Sequence, residues 1–297
     1  MPRLGAHVSA SGGLPLALDR AYALKAEALQ IFTRAPSRWE GRAILAEEAR
    51  RFAERRAELG DPPVLAHDLY LTNLAAEDAT VRARSLDSLV TEIERCELLG
   101  VDGLVCHLGS HPHEATGLKL LAEALGAVLQ KTSGYRVPLW LETTAGQGNC
   151  LGHRFAHLRY CVEVNGNHPR LGVCLDTCHV FAAGYDLVTE EGYRATWDEF
   201  ERELGFDRLK ALHLNDSLKE LGSRVDRHTN IGKGLLGQEA FRRLVQDPRL
   251  AGLPMVLETP DGPDKRGQAK DLALLRRLRG KGGAPRKRTP TKNNPGK

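Results

Sequence analysis

Short, continuous apolar runs alternate with longer amphipathic stretches along this chain. Val64-Leu65-Ala66, Leu104-Val105-Cys106, Leu139-Trp140-Leu141 and Met255-Val256-Leu257 are runs of the first kind. Such runs suit strands buried on both faces of a parallel sheet. The pattern predicts strands over 4–7, 28–32, 64–67, 104–107, 139–142, 173–176, 211–214 and 255–258. Between them, apolar positions recur at helical spacing. In 78–99, Leu86, Leu89, Ile93 and Cys96 share one stripe, and Gly100 stands where a helix-terminating glycine is expected. The same reasoning predicts helices over 14–25, 46–59, 118–130, 154–164, 191–204, 238–245 and 267–278. Eight strands alternating with eight helices predict an α/β fold, a single-domain (β/α)8 TIM barrel over 1–279. An open doubly wound sheet shares the alternation, but it normally carries a glycine-rich phosphate loop after an early strand, and none follows one here.

Composition changes the picture at one end. The segment 280–297, GKGGAPRKRTPTKNNPGK, holds six of the 42 basic residues and no acid. The net charge of +4 therefore hides a body of 36 basic and 38 acidic groups, or −2. The segment lacks apolar periodicity and is expected to be a disordered basic tail. It reads either as a solubilising terminus or as a non-specific anchor for phosphates. Elsewhere, 41% hydrophobic and 27% charged residues fit a globular core. No apolar run approaches the roughly 20 residues that span a bilayer, and the N-terminus lacks a signal-peptide core. A cytoplasmic protein without a membrane partner is the expectation. The six cysteines form no CxxC pair and read as reduced core residues, with Cys174 and Cys178 leaving a thiolate ligand open.

The candidate chemistry lies where the strands run out. His67, His107, Glu142, Asp176, His213 and Glu258 end, or closely follow, six of the apolar runs. In a parallel barrel these ends meet on one rim, where active sites of this fold lie. Carboxylates crowded there would repel one another unless cations sat among them. A His/Asp/Glu set without paired cysteines suits a catalytic zinc, manganese or iron site. His179 follows Asp176 by three positions, on one side of a helical turn. Asp226 and His228, two apart, point the same way in an extended loop. A single histidine at a strand end is usually structural, but unpaired polar groups are costly beside an apolar core, so the joint pattern resists that explanation. Catalytic zinc takes about three protein ligands, so nine groups imply two or three ions. Paired ions about 3.5–4 Å apart can activate water and stabilise the leaving oxygen of a phosphate ester. His7 reads as a supporting or substrate-contacting group, His111 and His113 as bordering the site, and His153, His157 and His168 as ordinary residues.

The stretches GAHVSASGGL, HDLYLTNLA, LETTAGQG, GVCLDTCHVFAAGYD, HLNDS, GSRVDRHTNIGKG and LETP together resemble the endonuclease IV family of metal-dependent apurinic/apyrimidinic endonucleases, over roughly 3–278. The resemblance implies a TIM barrel with three Zn2+ ions, one replaceable by Mn2+. It implies that His67, His107 and Glu142 hold one ion, and that Glu142 bridges to a second shared with Asp176, His213 and Glu258. His179, Asp226 and His228 would hold the third. The implied reaction is DNA repair by hydrolysis of the phosphodiester 5′ to an abasic site, with removal of blocking groups from 3′ ends, and Glu142 and Glu258 as catalytic carboxylates. Double-stranded DNA is the implied partner. Tyr70 and Leu71 match the family's inserting wedge, while Arg34 and Arg38 are expected to contact phosphate or groove. Two positions depart from the family: Leu108 replaces a usual proline, and Ser37 stands where an inserting arginine can occur. A sugar isomerase barrel with two metals and a non-catalytic DNA-binding protein are the competing readings. A monomer is expected, since lesion binding needs one barrel face.

Overall fold

The computed structural model describes residues 1–280. In chain order the strands are β1 (Arg3–His7), β2 (Ala28–Ile31), β3 (Val64–His67), β4 (Gly103–Cys106), β5 (Leu139–Glu142), β6 (Leu171–Asp176), β7 (Leu209–His213), β8 (Asp216–Ser217), β9 (His228–Thr229) and β10 (Pro254–Leu257). Eight of them close into a parallel barrel in the order β1-β10-β7-β6-β5-β4-β3-β2, and β8 and β9 form a small antiparallel pair outside it. Closure comes from β1, which pairs with β2 on one side and β10 on the other. The expected TIM barrel is what the chain forms. The tail assigned to 280–297 lies, beyond Gly280, outside the described residues.

The helices are α1 (Pro15–Ala23), α2 (Ala46–Glu58), α3 (Ala79–Leu99), α4 (Glu114–Lys131), α5 (Phe155–Val164), α6 (Thr177–Ala183), α7 (Glu190–Glu203), α8 (Gly237–Gln246) and α9 (Gly267–Arg279). α3 starts at Asp78, whose side chain accepts from the Thr80 and Val81 amides, and ends at Gly100 in the left-handed region that favours glycine. α6 is one helix more than the periodicity predicts. Its first six residues are all buried, so it has almost no polar face to create a helical period. None of the described helices is long and apolar enough to cross a membrane.

Two apolar layers follow from strand alternation. One fills the space between barrel and helices. The other is a plug inside the barrel, made by Leu65, Val105, Trp140, Cys174, Ala211 and Val256. Trp140 is its large member and requires small neighbours. A Cβ on Gly103 would fall 2.4 Å from the indole, and one on Gly172 would fall 2.8 Å from it. Side chains on a strand share a face every second residue. Two residues beyond each member of the plug stand His67, His107, Glu142, Asp176, His213 and Glu258. The plug therefore forms the floor under these groups. All six cysteines are free, five of them buried, and burial pushes the Cys161, Cys174 and Cys178 thiols up to about 12.

Gly103→Ala forces its methyl into the Trp140 ring. Overpacking of this kind typically costs about 1–3 kcal/mol, and urea unfolding should show that loss. An unchanged midpoint would mean that the plug is not tightly packed.

Candidate metal centre

The nine histidine, aspartate and glutamate side chains converge at the mouth in three groups, within each of which the ligand atoms lie within 4.8 Å of one another. The first is His67, His107 and Glu142; His67 Nε2 and His107 Nε2 lie 3.1 and 2.9 Å from Glu142 Oε2. The second is Glu142, Asp176, His213 and Glu258. Here His213 Nδ1 lies 2.8 Å from Glu142 Oε1, 3.3 Å from Glu258 Oε2 and 3.9 Å from Asp176 Oδ2. Glu142 thus gives one oxygen to each group. The third is His179, Asp226 and His228, with both imidazole Nε2 atoms 3.1 Å from the Asp226 carboxylate. His228 Nε2 also lies 3.7 Å from Asp176 Oδ2, which joins the second and third groups.

Local structure explains the convergence. His67, Glu142, Asp176 and His213 are terminal strand residues, and His107 and Glu258 stand one position past β4 and β10. Asp176 also caps α6, accepting from the His179 amide at 2.9 Å, so one turn carries both groups to the mouth. The β8–β9 segment delivers Asp226 and His228. Asp216 anchors the loop after β9, accepting from the amides of Gly232, Gly234 and Leu236. A Cβ on Gly234 would lie 2.3 Å from the Ser217 carbonyl oxygen, so that approach excludes other residues. Gln147 Oε1 accepts from the Asp226 amide at 2.9 Å.

The donor set fits divalent cations. His67 Nδ1 donates to the Asp68 carbonyl at 2.7 Å, and His179 Nδ1 donates to the Thr143 carbonyl at 2.8 Å. His213 Nε2 is 2.8 Å from Gln30 Oε1. Each ring is held at one nitrogen and turns the other toward the carboxylates, the arrangement of metal-ligating histidine. His228 Nε2 is buried without a hydrogen-bond partner. Cys178 stands near Asp176 and His228, but burial holds its thiol protonated.

The electrostatics of the group suit cations. Burial pushes the Glu142 carboxyl up, but the charges of His213 and His107 outweigh it and hold the group well below the usual range. Glu258 is likewise lowered, His213 overcoming burial. At Asp226, the hydrogen bond from His179 and the nearby His228 ring overcome burial in the same sense. His179 and His213 move the other way. Burial lowers them, yet Asp176 and neighbouring anions raise His179, while the Glu258 and Glu142 carboxylates raise His213, each well above the ordinary imidazole value. Metal binding displaces such protons.

Residues named for other roles are placed differently. Tyr70 is 69% exposed at the mouth, its ring edge-on to Phe32. Leu71 beside it is half-buried, and Arg38 is exposed. Arg34 is held within its own chain. Its guanidinium donates to Glu92 at 2.8 Å, to Ser88 and to the Trp39 carbonyl, and its side chain is only 5% exposed. It braces the loop that presents Arg38. Arg227 lines a cavity of about 520 Å3 over the centre with His7, Tyr70 and Glu258. Glu114, His153 and His157 make a further cluster. The Gly152 amide donates to His157 Nδ1 at 3.1 Å, which leaves the neutral ring's proton on Nε2, facing Glu114, and no lone pair for an ion there.

Sequence reasoning missed Gln30 and Asn215. Gln30 stands opposite His7 in the β1–β2 register and donates to Glu258 Oε1 at 2.7 Å. Asn215 donates to Asp176 Oδ2 at 2.6 Å and accepts from the Glu258 amide. The signal for Gln30 was a polar residue inside the apolar run Ala28–Ile31.

Residues 18–278 match the family described as a xylose isomerase-like TIM barrel. "Probable endonuclease 4" of Chloroflexus aurantiacus is 47% identical over 280 residues, covering 94% of this chain and 98% of that protein. The Geobacter sulfurreducens protein of the same name is 43% identical over 277 residues, covering 93% and 94%. Among solved structures, endonuclease IV from Thermus thermophilus superposes with a TM-score of 0.84 at 37% identity, covering 93% and 98%. A D-tagatose 3-epimerase-like protein shares the fold, with a TM-score of 0.69 at 17% identity, covering 93% and 96%.

The shifts give the metal-free protein a definite pH dependence. His179 and His213 hold protons more tightly folded than unfolded, so their contribution is complete below about 6.5 and is lost as pH rises through the folded values. The depressed carboxylates contribute above about 4.5 and lose that contribution as pH falls through their folded values. Thermal melts of metal-free protein should therefore peak between about pH 4.5 and 6.5 and fall toward pH 9. Zinc should abolish the fall at high pH. A metal-free Tm rising steadily to pH 9 would contradict this charge arrangement.

Proposed function

The chain belongs to the endonuclease IV family, and from that premise we propose that it is a DNA repair nuclease that hydrolyses the phosphodiester 5′ to abasic sites with a trinuclear zinc centre. We infer the same centre for removal of blocking groups from 3′ ends. The observation that carries the reading is the triple convergence at the mouth, with Glu142 common to two groups. A sugar isomerase needs no third group of His179, Asp226 and His228 and no exposed Tyr70 beside it. The substrate is double-stranded DNA bound by a monomer in the cytoplasm.

His67, His107 and Glu142 would hold one Zn2+, Glu142 with Asp176, His213 and Glu258 a second, and His179, Asp226 and His228 a third, with Mn2+ an alternative at one position. Such ions, when bound, supply Lewis acidity and bring water toward deprotonation near neutral pH. The rest is the work of this chain. Glu142, fully buried, keeps both oxygens aimed at separate groups. Glu258 is the carboxylate of its group that reaches the cavity, with 18% of its side chain exposed. Both carboxyls are held below the usual range, so at neutral pH they stay ionised, accept hydrogen bonds and do not act as acids. Glu258 orients the attacking water through such a hydrogen bond. Tyr70 and Leu71 supply an aromatic and an apolar wedge for the unstacked site. Arg38 and Arg227 offer cations to the flanking phosphates, which matters because the body of the chain is slightly acidic.

A nicking assay on an abasic-site duplex tests the reading. Zinc-loaded protein should cut 5′ to the lesion, and prolonged chelation should abolish cutting until zinc is restored. Glu258→Gln should lower kcat by about 10²-fold or more with the fold intact. Tyr70→Ala should weaken use of the abasic duplex by about tenfold, the scale of one lost base–aromatic stack. Lesion binding without scission, or turnover of free sugars in place of DNA, would overturn it.

A further inference from the structure

We propose that Gln30 is the positioning residue that decides which nitrogen of His213 meets the metal: its amide holds the His213 Nε2 proton and leaves Nδ1 to the centre. The inference rests on the metal centre proposed above. Gln30 is completely buried. It meets three groups at once: Oε1 lies 2.8 Å from His213 Nε2, and Nε2 lies 2.7 Å from Glu258 Oε1 and 3.0 Å from His7 Nδ1.

The amide has only one workable orientation. An ionised carboxylate accepts hydrogen bonds and donates none. The Gln30 nitrogen must therefore face Glu258, since the reverse placement would set amide oxygen against carboxylate oxygen. That puts the amide oxygen against His213 Nε2, and an acceptor there requires a proton on Nε2. Nδ1 is then the atom that faces Glu142, Glu258 and Asp176. Its counterparts His67 and His179 are held at Nδ1 by backbone carbonyls. Nε2 faces the carboxylates in both. His213 is the reversed ring of the centre, and a side chain rather than the main chain sets the reversal.

The second amide hydrogen extends the effect. It points to His7 Nδ1, which also lies 3.4 Å from Glu258 Oε1, so Gln30, His7 and Glu258 form one network. His7 lines the cavity over the centre. Register delivers all four groups. His7 pairs with Gln30 across β1 and β2, and Ala6 pairs with Leu257, one residue short of Glu258. His213 ends β7, the neighbour of β10.

Two measurements test this on the whole chain. In zinc-loaded wild-type protein labelled with 15N-histidine, His213 should show a protonated, exchange-protected Nε2 and a metal-bound Nδ1. A His213 ligated through Nε2 would overturn the proposal, as would wild-type protein that binds no zinc, which would also remove the metal centre. The second measurement is chelator competition on Gln30→Met, which keeps length and removes both hydrogen-bonding functions. Loss of an outer partner of a metal ligand typically costs 10–100-fold in affinity, and one zinc should weaken by about that factor while the others hold. The His213 Nε2–H signal should lose its exchange protection. If Gln30→Met binds every zinc like wild type and keeps that signal, Gln30 does not position His213, and the metal centre stands without it.

Discussion

Buried opposite charge, mutually compensated at one end of a barrel, is the constraint on which the rest of this structure depends. Glu142 and Asp176 have no exposed side-chain surface, and each would be costly there alone. They persist because His67, His107, His213 and His179 stand within a few ångströms. In the metal-free state His67, His179 and His213 carry compensating protons, and divalent ions would do the same with more charge in less space. A set this dense could not be held by loops alone. Six of its nine members stand at, or one residue past, barrel strand ends, with a dry apolar floor one pleat below.

That floor explains how a fold made mostly of generic apolar runs specifies a site. The period of two along a strand makes an inward Leu65, Trp140 or Ala211 place an inward residue two positions later. Trp140 packed over Gly103 and Gly172 closes the bottom of the barrel. Above it, polar side chains meet one another instead of water. The loop of residues 33–42 is mounted separately. Arg34 pairs with Glu92 of α3, and Arg95 of α3 donates to Thr33, so the loop is tied to that helix. That loop is thus braced by contacts separate from those among the nine groups at the mouth.

Much of this was legible in the sequence, for a physical reason. Continuous apolar runs announce strands buried on both faces, and a ligand at the end of such a run is conspicuous against it. His67, Glu142 and Asp176 could be named from that contrast alone. α6 could not, because the buried TCHVFAA stretch has too little polar surface to create a period. Composition also cannot tell a guanidinium bound to Glu92 and Ser88, as that of Arg34 is, from one free to reach phosphate. Gln30 and Asn215 were missed because an amide carries no charge to draw attention. Their importance comes from which atoms they hold, and only three-dimensional placement reveals that.

The central claim is that the three groups at the mouth are one metal centre. Elemental analysis of the protein, purified without chelator, supplied with zinc and exhaustively desalted, tests it most directly. The account predicts three tightly held divalent ions per chain, one for each group. A chain that retains one ion or none, while folded and cooperative in melting, would contradict it.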